Sequence, residues 1–171
     1  MYKKIVVPVD GSKPADKALD HAIHLAKSIS INGSFSKIEI IILFVIPDLP
    51  ATLGFEPPMK SLRTGEVISF SEYVREMHEL KRSNAIKLIS TRKKKYESHR
   101  IRDDNFTIRA EVLVSQGNSI SDTILKFANK EKANLIVMGN IGLSGISKLK
   151  TLGSVSRSIA EKSSCPVLIV H

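Results

Sequence analysis

Residues 134–155 read NLIVMGNIGLSGISKLKTLGSV. The opening run, Leu135-Ile136-Val137-Met138, is apolar, mostly branched and too short for a helix, which reads as a parallel strand buried on both faces. It stops at Gly139, and Gly142, Gly145 and Gly153 follow. Among them stand Ser144, Ser147, Lys148, Lys150 and Thr151, small, hydroxylic or basic. From Ser154 the pattern turns helical, with Val155, Ile159 and Ala160 on one face. A strand that runs into a glycine loop and then a helix is a common α/β device for holding phosphate. Glycine lets backbone N–H groups approach the anion, and the helix start adds partial positive charge. A glycine-rich surface loop without a ligand has the same pattern.

Two familiar phosphate loops are excluded by inspection. No glycine of this loop precedes Lys, so there is no G-x-x-x-x-G-K-[ST], and no two of its glycines stand one residue apart, so there is no G-x-G-x-x-G. What remains is Gly139-x-x-Gly142, ten residues, then Gly153-Ser154.

Outward from the loop, the same alternation continues in both directions. Residues 4–10, KIVVPVD, read as a first buried strand with Pro8 near its end. Ser12 is placed to cap a helix, and Pro14 fits its first turn. Ala15, Ala18, Leu19, Ala22, Ala26 and Ile29 form that helix's apolar face, and Gly33 closes it. Residues 38–46 are a second buried strand ending at Pro47. Residues 47–71, with four prolines and two glycines, read as a long loop or lid. A helix over 70–98 follows, with Val74, Met77, Ala85, Leu88, Ile89 and Tyr96 on one face, and then a strand over 107–114. Gly117-Asn118-Ser119 cap a helix carrying Ile120, Ile124, Phe127 and Ala128 inward, and residues 166–170 form the last strand. Alternating short apolar strands and helices predict one doubly wound parallel α/β sheet with helices on both faces. Ligands of such sheets bind at the carboxyl ends of the strands, where Asp10, Val45 and the 139–154 loop converge.

Composition bounds the function. A length of 171 residues with 42% hydrophobic content suits one domain with a substantial core. The basic start is followed by too short an apolar stretch for a signal peptide, and the longest apolar run, 40–46, is far too short to span a bilayer. A cytoplasmic protein without membrane partners is expected. The single Cys165 excludes an internal disulfide and reads as a small buried hydrophobe. His21 and His24 share a helix face but lack a third ligand, so no metal site is expected. Residues 81–102 hold nine Lys/Arg against Glu97 alone and supply +8 of the net charge of +9. That run reads as a solvated helix face. Nucleic acid is a weaker expectation, since Tyr96 is the one aromatic inside it.

The chain resembles the universal stress protein family. The first-strand KIVVPVDGS of residues 4–12, the glycine loop, and the closing GSVSRSIAEKSSCPVLIV of residues 153–170 carry the resemblance, while residues 47–105 carry little of it. The family's nucleotide-binding members have nine residues where this chain has ten between Gly142 and Gly153. By this resemblance the fold is Rossmann-like, with five strands in the order 3-2-1-4-5, and the ligand is ATP or a related adenine nucleotide, alone or with Mg. Pro8, Val9 and Val45 would line the adenine pocket, and Asp10 would contact the nucleoside. Met138, Gly139 and Gly142 would bound the ribose and phosphate path. Gly153, Ser154 and Val155 would hold phosphates. Asp10 has a second role open to it, capping the helix that follows. The resemblance also implies a homodimer formed through the last strand. The function expected is an ATP-binding regulator with little or no turnover and no catalytic residues. The alternatives are a slow ATP hydrolase, disfavoured by the missing Walker lysine, and an interaction module acting through residues 81–102.

Overall fold

The computed structural model describes residues 2–31, 37–48, 57–98, 106–143 and 152–171. Five strands form one parallel sheet: β1 (Lys4–Pro8), β2 (Ile38–Ile46), β5 (Phe106–Val114), β6 (Leu135–Gly139) and β7 (Val167–Val170). Their order, β5-β2-β1-β6-β7, is the doubly wound order 3-2-1-4-5 once a small hairpin is set apart. The helices are α1 (Lys13–Ile31), α2 (Phe70–Ser98), α3 (Ile120–Lys130) and α4 (Ser154–Lys162).

Strand alternation sorts the core into two layers. Ile5, Val7, Ile40 and Ile42 face α1 and α2. Val6, Ile41, Leu43 and Ile136 face α3 and α4. Because helices cover both faces, the central strands are apolar at nearly every position. Helix α4 departs from its expected face in one place. Ile159 is buried and Val155 partly so, but Ala160 is exposed, and Ser156 takes the inward position instead. A hydroxyl can be buried there because Ser156 Oγ donates to the carbonyl of Gly139 at 2.9 Å.

Residues 57–69 are more ordered than a plain loop. Two-residue strands β3 (Met59–Lys60) and β4 (Val67–Ile68) pair antiparallel. Their turn is knotted by buried Ser61, whose hydroxyl accepts from the amides of Arg63 and Thr64 and donates to Glu76 of α2. The expected closing residue Gly33, the loop residues Gly145, Lys148 and Lys150, and positions 99–102 of the basic run lie outside the described residues.

The basic helix is not wholly solvated. Ala85 and Ile89 are buried against the sheet, and Arg92 clasps Asp16 of α1 with two nitrogens, at 2.5 and 2.9 Å. One turn on, the Tyr96 hydroxyl donates to Asp20, and burial followed by that bond pushes its phenol well above the usual range. On the α3 face of the sheet, Lys4, Glu39, Arg109, Glu111 and Glu131 form a connected ion-pair network. Lys4, followed by Arg109, holds the Glu131 carboxyl below the ordinary range. Cys165 is half-buried, with its sulfur 3.6 Å from Ser163 Oγ. No helix among the described residues is long and apolar enough to cross a membrane.

Candidate functional site

At the carboxyl ends of β1, β2 and β6 the structure encloses a cavity of about 450 Å³, the size of a small-molecule site. All ten residues singled out from sequence line it. Pro8, Val9 and Asp10 come from the end of β1, Val45 from β2, and Met138, Gly139 and Gly142 from β6 and its loop; Gly153, Ser154 and Val155 open α4. Sequence reasoning missed the opposing wall: Ile120 and Ile124 from α3, with Leu43, Phe44 and Pro47 beside Val45. Ser12, Ala15, Ile141, Leu143 and Ser156 complete the lining. The α3 wall was legible only as an inward apolar stripe, without an indication that part of it faces a void.

Asp10 is the organising side chain. The chain leaves β1 through Gly11, whose φ of +95° is costly for a residue with a side chain. That turn sends the backbone into α1, and one oxygen of Asp10 accepts from the amide of Ser12 at 2.9 Å. Ser12, buried, is the side chain that caps α1, accepting from the amide of Ala15 at 3.3 Å. The other Asp10 oxygen reaches across the cavity and accepts from the amide of Leu143 at 2.9 Å. Asp10 therefore does not cap α1 and instead ties the β1 turn to the glycine loop. Each carboxylate oxygen keeps lone-pair capacity for a further donor.

The glycines are required for different reasons. A Cβ on Gly139 would lie 2.7 Å from the carbonyl carbon of Pro14 and 2.9 Å from the amide nitrogen of Ala15, so α1 can begin against β6 only over a glycine. A Cβ on Gly142 would stand 2.5 Å from the Asp10 oxygen. Gly153 is less constrained, with its nearest neighbours at 3.5 Å. Its amide is used within the fold, donating to the carbonyl of Asn140 at 2.8 Å. It is the N-cap of α4 and provides no capping side chain. The amides of Ser154, Val155 and Ser156 consequently have no partner among the described residues, and they form the helix end that lines the cavity.

The walls are thus asymmetric. Towards β2 and α3 they are apolar; towards β6 and α4 they present open N–H groups at the positive end of a helix dipole. Between them sits one carboxylate. Among the described residues no group of three metal-binding side chains occurs, and His21 and His24 are exposed.

Comparison with known proteins identifies relatives of the chain and of its fold. The model of the universal stress protein family matches residues 1–171. Universal stress protein YxiE of Bacillus subtilis is 31% identical over 171 residues, covering 100% of both chains. Among solved structures, the universal stress protein UspA from Lactobacillus plantarum superposes with a TM-score of 0.73 at 18% identity, covering 99% of this chain and 98% of that one. A universal stress protein in complex with cAMP gives 0.58 at 23%, covering 99% and 97%. A family member from Arabidopsis thaliana with AMP bound gives 0.52 at 15%, covering 98% and 90%.

Proposed function

The chain belongs to the universal stress protein family, and from that membership and the cavity's shape we propose that it is a regulator that binds ATP or a related adenine nucleotide, with little or no turnover. The observation that carries the reading is the two-sided cavity: an apolar slot beneath α3, three open amides at the start of α4, and Asp10 between them. A purine fits the slot formed by Val9, Val45, Met138, Ile120 and Ile124. The ribose hydroxyls lie within the domain of Asp10, whose carboxylate accepts their hydrogen bonds. The phosphates take the amides of Ser154 and Val155 and the Ser154 hydroxyl, where the helix dipole favours negative charge. Neighbours of the same fold holding cAMP and AMP support an adenine nucleotide as the ligand class.

The described lining contains one carboxylate and no lysine, histidine or cysteine, which favours holding a ligand over transforming it. Magnesium would arrive with the phosphates, since the described lining offers a cation one carboxylate only. A cytoplasmic setting and a homodimer through β7 belong to the same reading. Titration calorimetry on protein verified free of nucleotide tests it. ATP should bind, and Asp10→Ala should weaken binding by about tenfold, about 1.4 kcal/mol, with an unchanged circular dichroism spectrum. Absence of heat with ATP at about 1 mM, where even a Kd of that size would register, would sink the proposal.

A further inference from the structure

The outer edge of β5 is the second concave feature of the molecule. Strand β5 runs nine residues at the margin of the sheet, and its strand partner among the described residues is β2 alone. The amide of Ser115 donates to the carbonyl of Ile46, so odd-numbered positions of β5 direct their backbone groups at β2. Strand alternation then turns the N–H and C=O groups of Ile108, Ala110, Val112 and Val114 outward. None of these groups has a hydrogen-bond partner among the described residues. Such a row of donors and acceptors is a template for another strand.

The C-terminal part of this edge, with Val112 and Val114, borders a groove of about 620 Å³. One wall is the flank of α3, presenting Thr123, Lys126, Phe127 and Lys130, and Arg82 of α2 stands on the other side. Two acids also line it, Glu111 and Glu131, which share Arg109 with Glu39. Lys130 and Arg82 have no ion pair among the described residues, and the Lys126 ammonium meets only the neutral amide of Asn118. Four cations line the groove against these two acids, so its net charge is positive, with cations on both walls. An edge strand beside a helix flank is the geometry in which folded domains add an extended peptide as an extra strand.

We infer that this groove is a docking site for an extended, acidic peptide segment of a partner protein, which adds to the sheet alongside β5 and meets Arg82, Lys126 and Lys130 with its carboxylates. Chemistry separates this occupant from the others. A second copy would bring the same three cations face to face with these. A nucleic-acid backbone offers phosphate acceptors, which leave the outward carbonyls of β5 unmatched and approach Glu111 and Glu131.

The test uses the full chain and an acetylated, amidated nonapeptide of three Glu-Glu-Val repeats, which places carboxylates on both faces of an added strand, followed by NMR amide exchange. Exchange of the amides of Ile108, Ala110, Val112 and Val114 should slow at least tenfold with the peptide. The same peptide N-methylated at alternate residues on its pairing side should give no slowing, which isolates backbone pairing from charge attraction without altering the protein. The double variant Lys126→Glu, Lys130→Glu should bind the unmethylated peptide at least tenfold more weakly. Unchanged exchange, or equal binding of the methylated peptide, overturns the inference. So does slowing that grows with protein concentration alone, which means a second copy, and so does slowing produced by an oligouridine but not by the peptide.

Discussion

Replacing Gly142 by alanine isolates the link between Asp10 and the glycine loop. The new methyl carbon would be placed 2.5 Å from the Asp10 oxygen that accepts from the amide of Leu143, a separation no carbon–oxygen contact tolerates. Either the carboxylate rotates away or the loop retreats, and in both cases the 2.9 Å bond is lost. A hydrogen bond to a charged acceptor contributes about 1.5–3 kcal/mol, and the exposed position of Gly142 and Leu143 puts this one at the lower end. Each 1.4 kcal/mol is about tenfold in affinity. Gly142→Ala should accordingly weaken ATP binding by about tenfold by calorimetry and lower the thermal midpoint by a few degrees. Gly153→Ala is the internal control, because its Cβ meets nothing nearer than 3.5 Å at an ordinary φ of −62°. It should weaken binding by clearly less than Gly142→Ala. Equal binding by Gly142→Ala and the parent protein would refute the assignment of Asp10 as the residue that sets the loop.

Gly139→Ala should act on the fold instead, since the clash is with the backbone of the α1 start. A loss of about 1–3 kcal/mol is expected, read as a fall of several degrees in the melting midpoint. Glu131→Gln should flatten the acid limb of stability. The folded carboxyl titrates below its ordinary 4.5, so its contribution is complete above that value and lost as pH falls through the folded pKa. Denaturant titrations across that window should show the variant losing less stability on acidification than the parent. Within α2, joint substitution of Lys93, Lys94 and Lys95 by Gln should leave the denaturant midpoint almost unmoved. Arg92→Gln, which breaks the two-nitrogen clasp on Asp16, should cost about 1 kcal/mol in the same experiment. Pairing of β7 across a two-fold axis would cover its apolar edge, and Leu168, 40% exposed, is a direct probe of that surface. Leu168→Asp should yield a monomer by light scattering; a parent protein already monomeric at micromolar concentration would reject the dimer.

The sheet was readable because its strands are continuous apolar runs bounded by breakers. β2 occupies residues 38–46 as expected, between Lys37 and Pro47, and α2 fills 70–98. The hairpin at 59–68 was not readable, because strands of two residues carry no period and its stability comes from Ser61 reaching Glu76 fifteen positions away. Ala160 was expected inward and lies exposed for a related reason. Ser156 is buried in α4 because its partner, the carbonyl of Gly139, lies on another element. The β1, β6 and α4 sides of the cavity were legible because strand ends and glycines mark them locally. Ile120 and Ile124 look like ordinary core residues in sequence, and only the packing of α3 over the sheet gives them a cavity to face. The clasp of Arg92 on Asp16 was hidden within a run of positive charge that reads as uniform.

Helix α3 is a party wall. Ile120 and Ile124 form part of the cavity at the strand ends, while Thr123 and Phe127, on the same two turns, form part of the groove along β5. Eleven residues long and capped by Ser119, the helix is one unbroken rod. Asp48 secures its entrance from the β2 side, accepting from the amide of Gly117 at 3.0 Å while its own amide donates to Ser115 Oγ at 2.8 Å. A displacement of the rod that narrows one chamber alters the other. Thermodynamic reciprocity then requires that whatever a nucleotide does to the groove's affinity, a strand in the groove does equally to the nucleotide's.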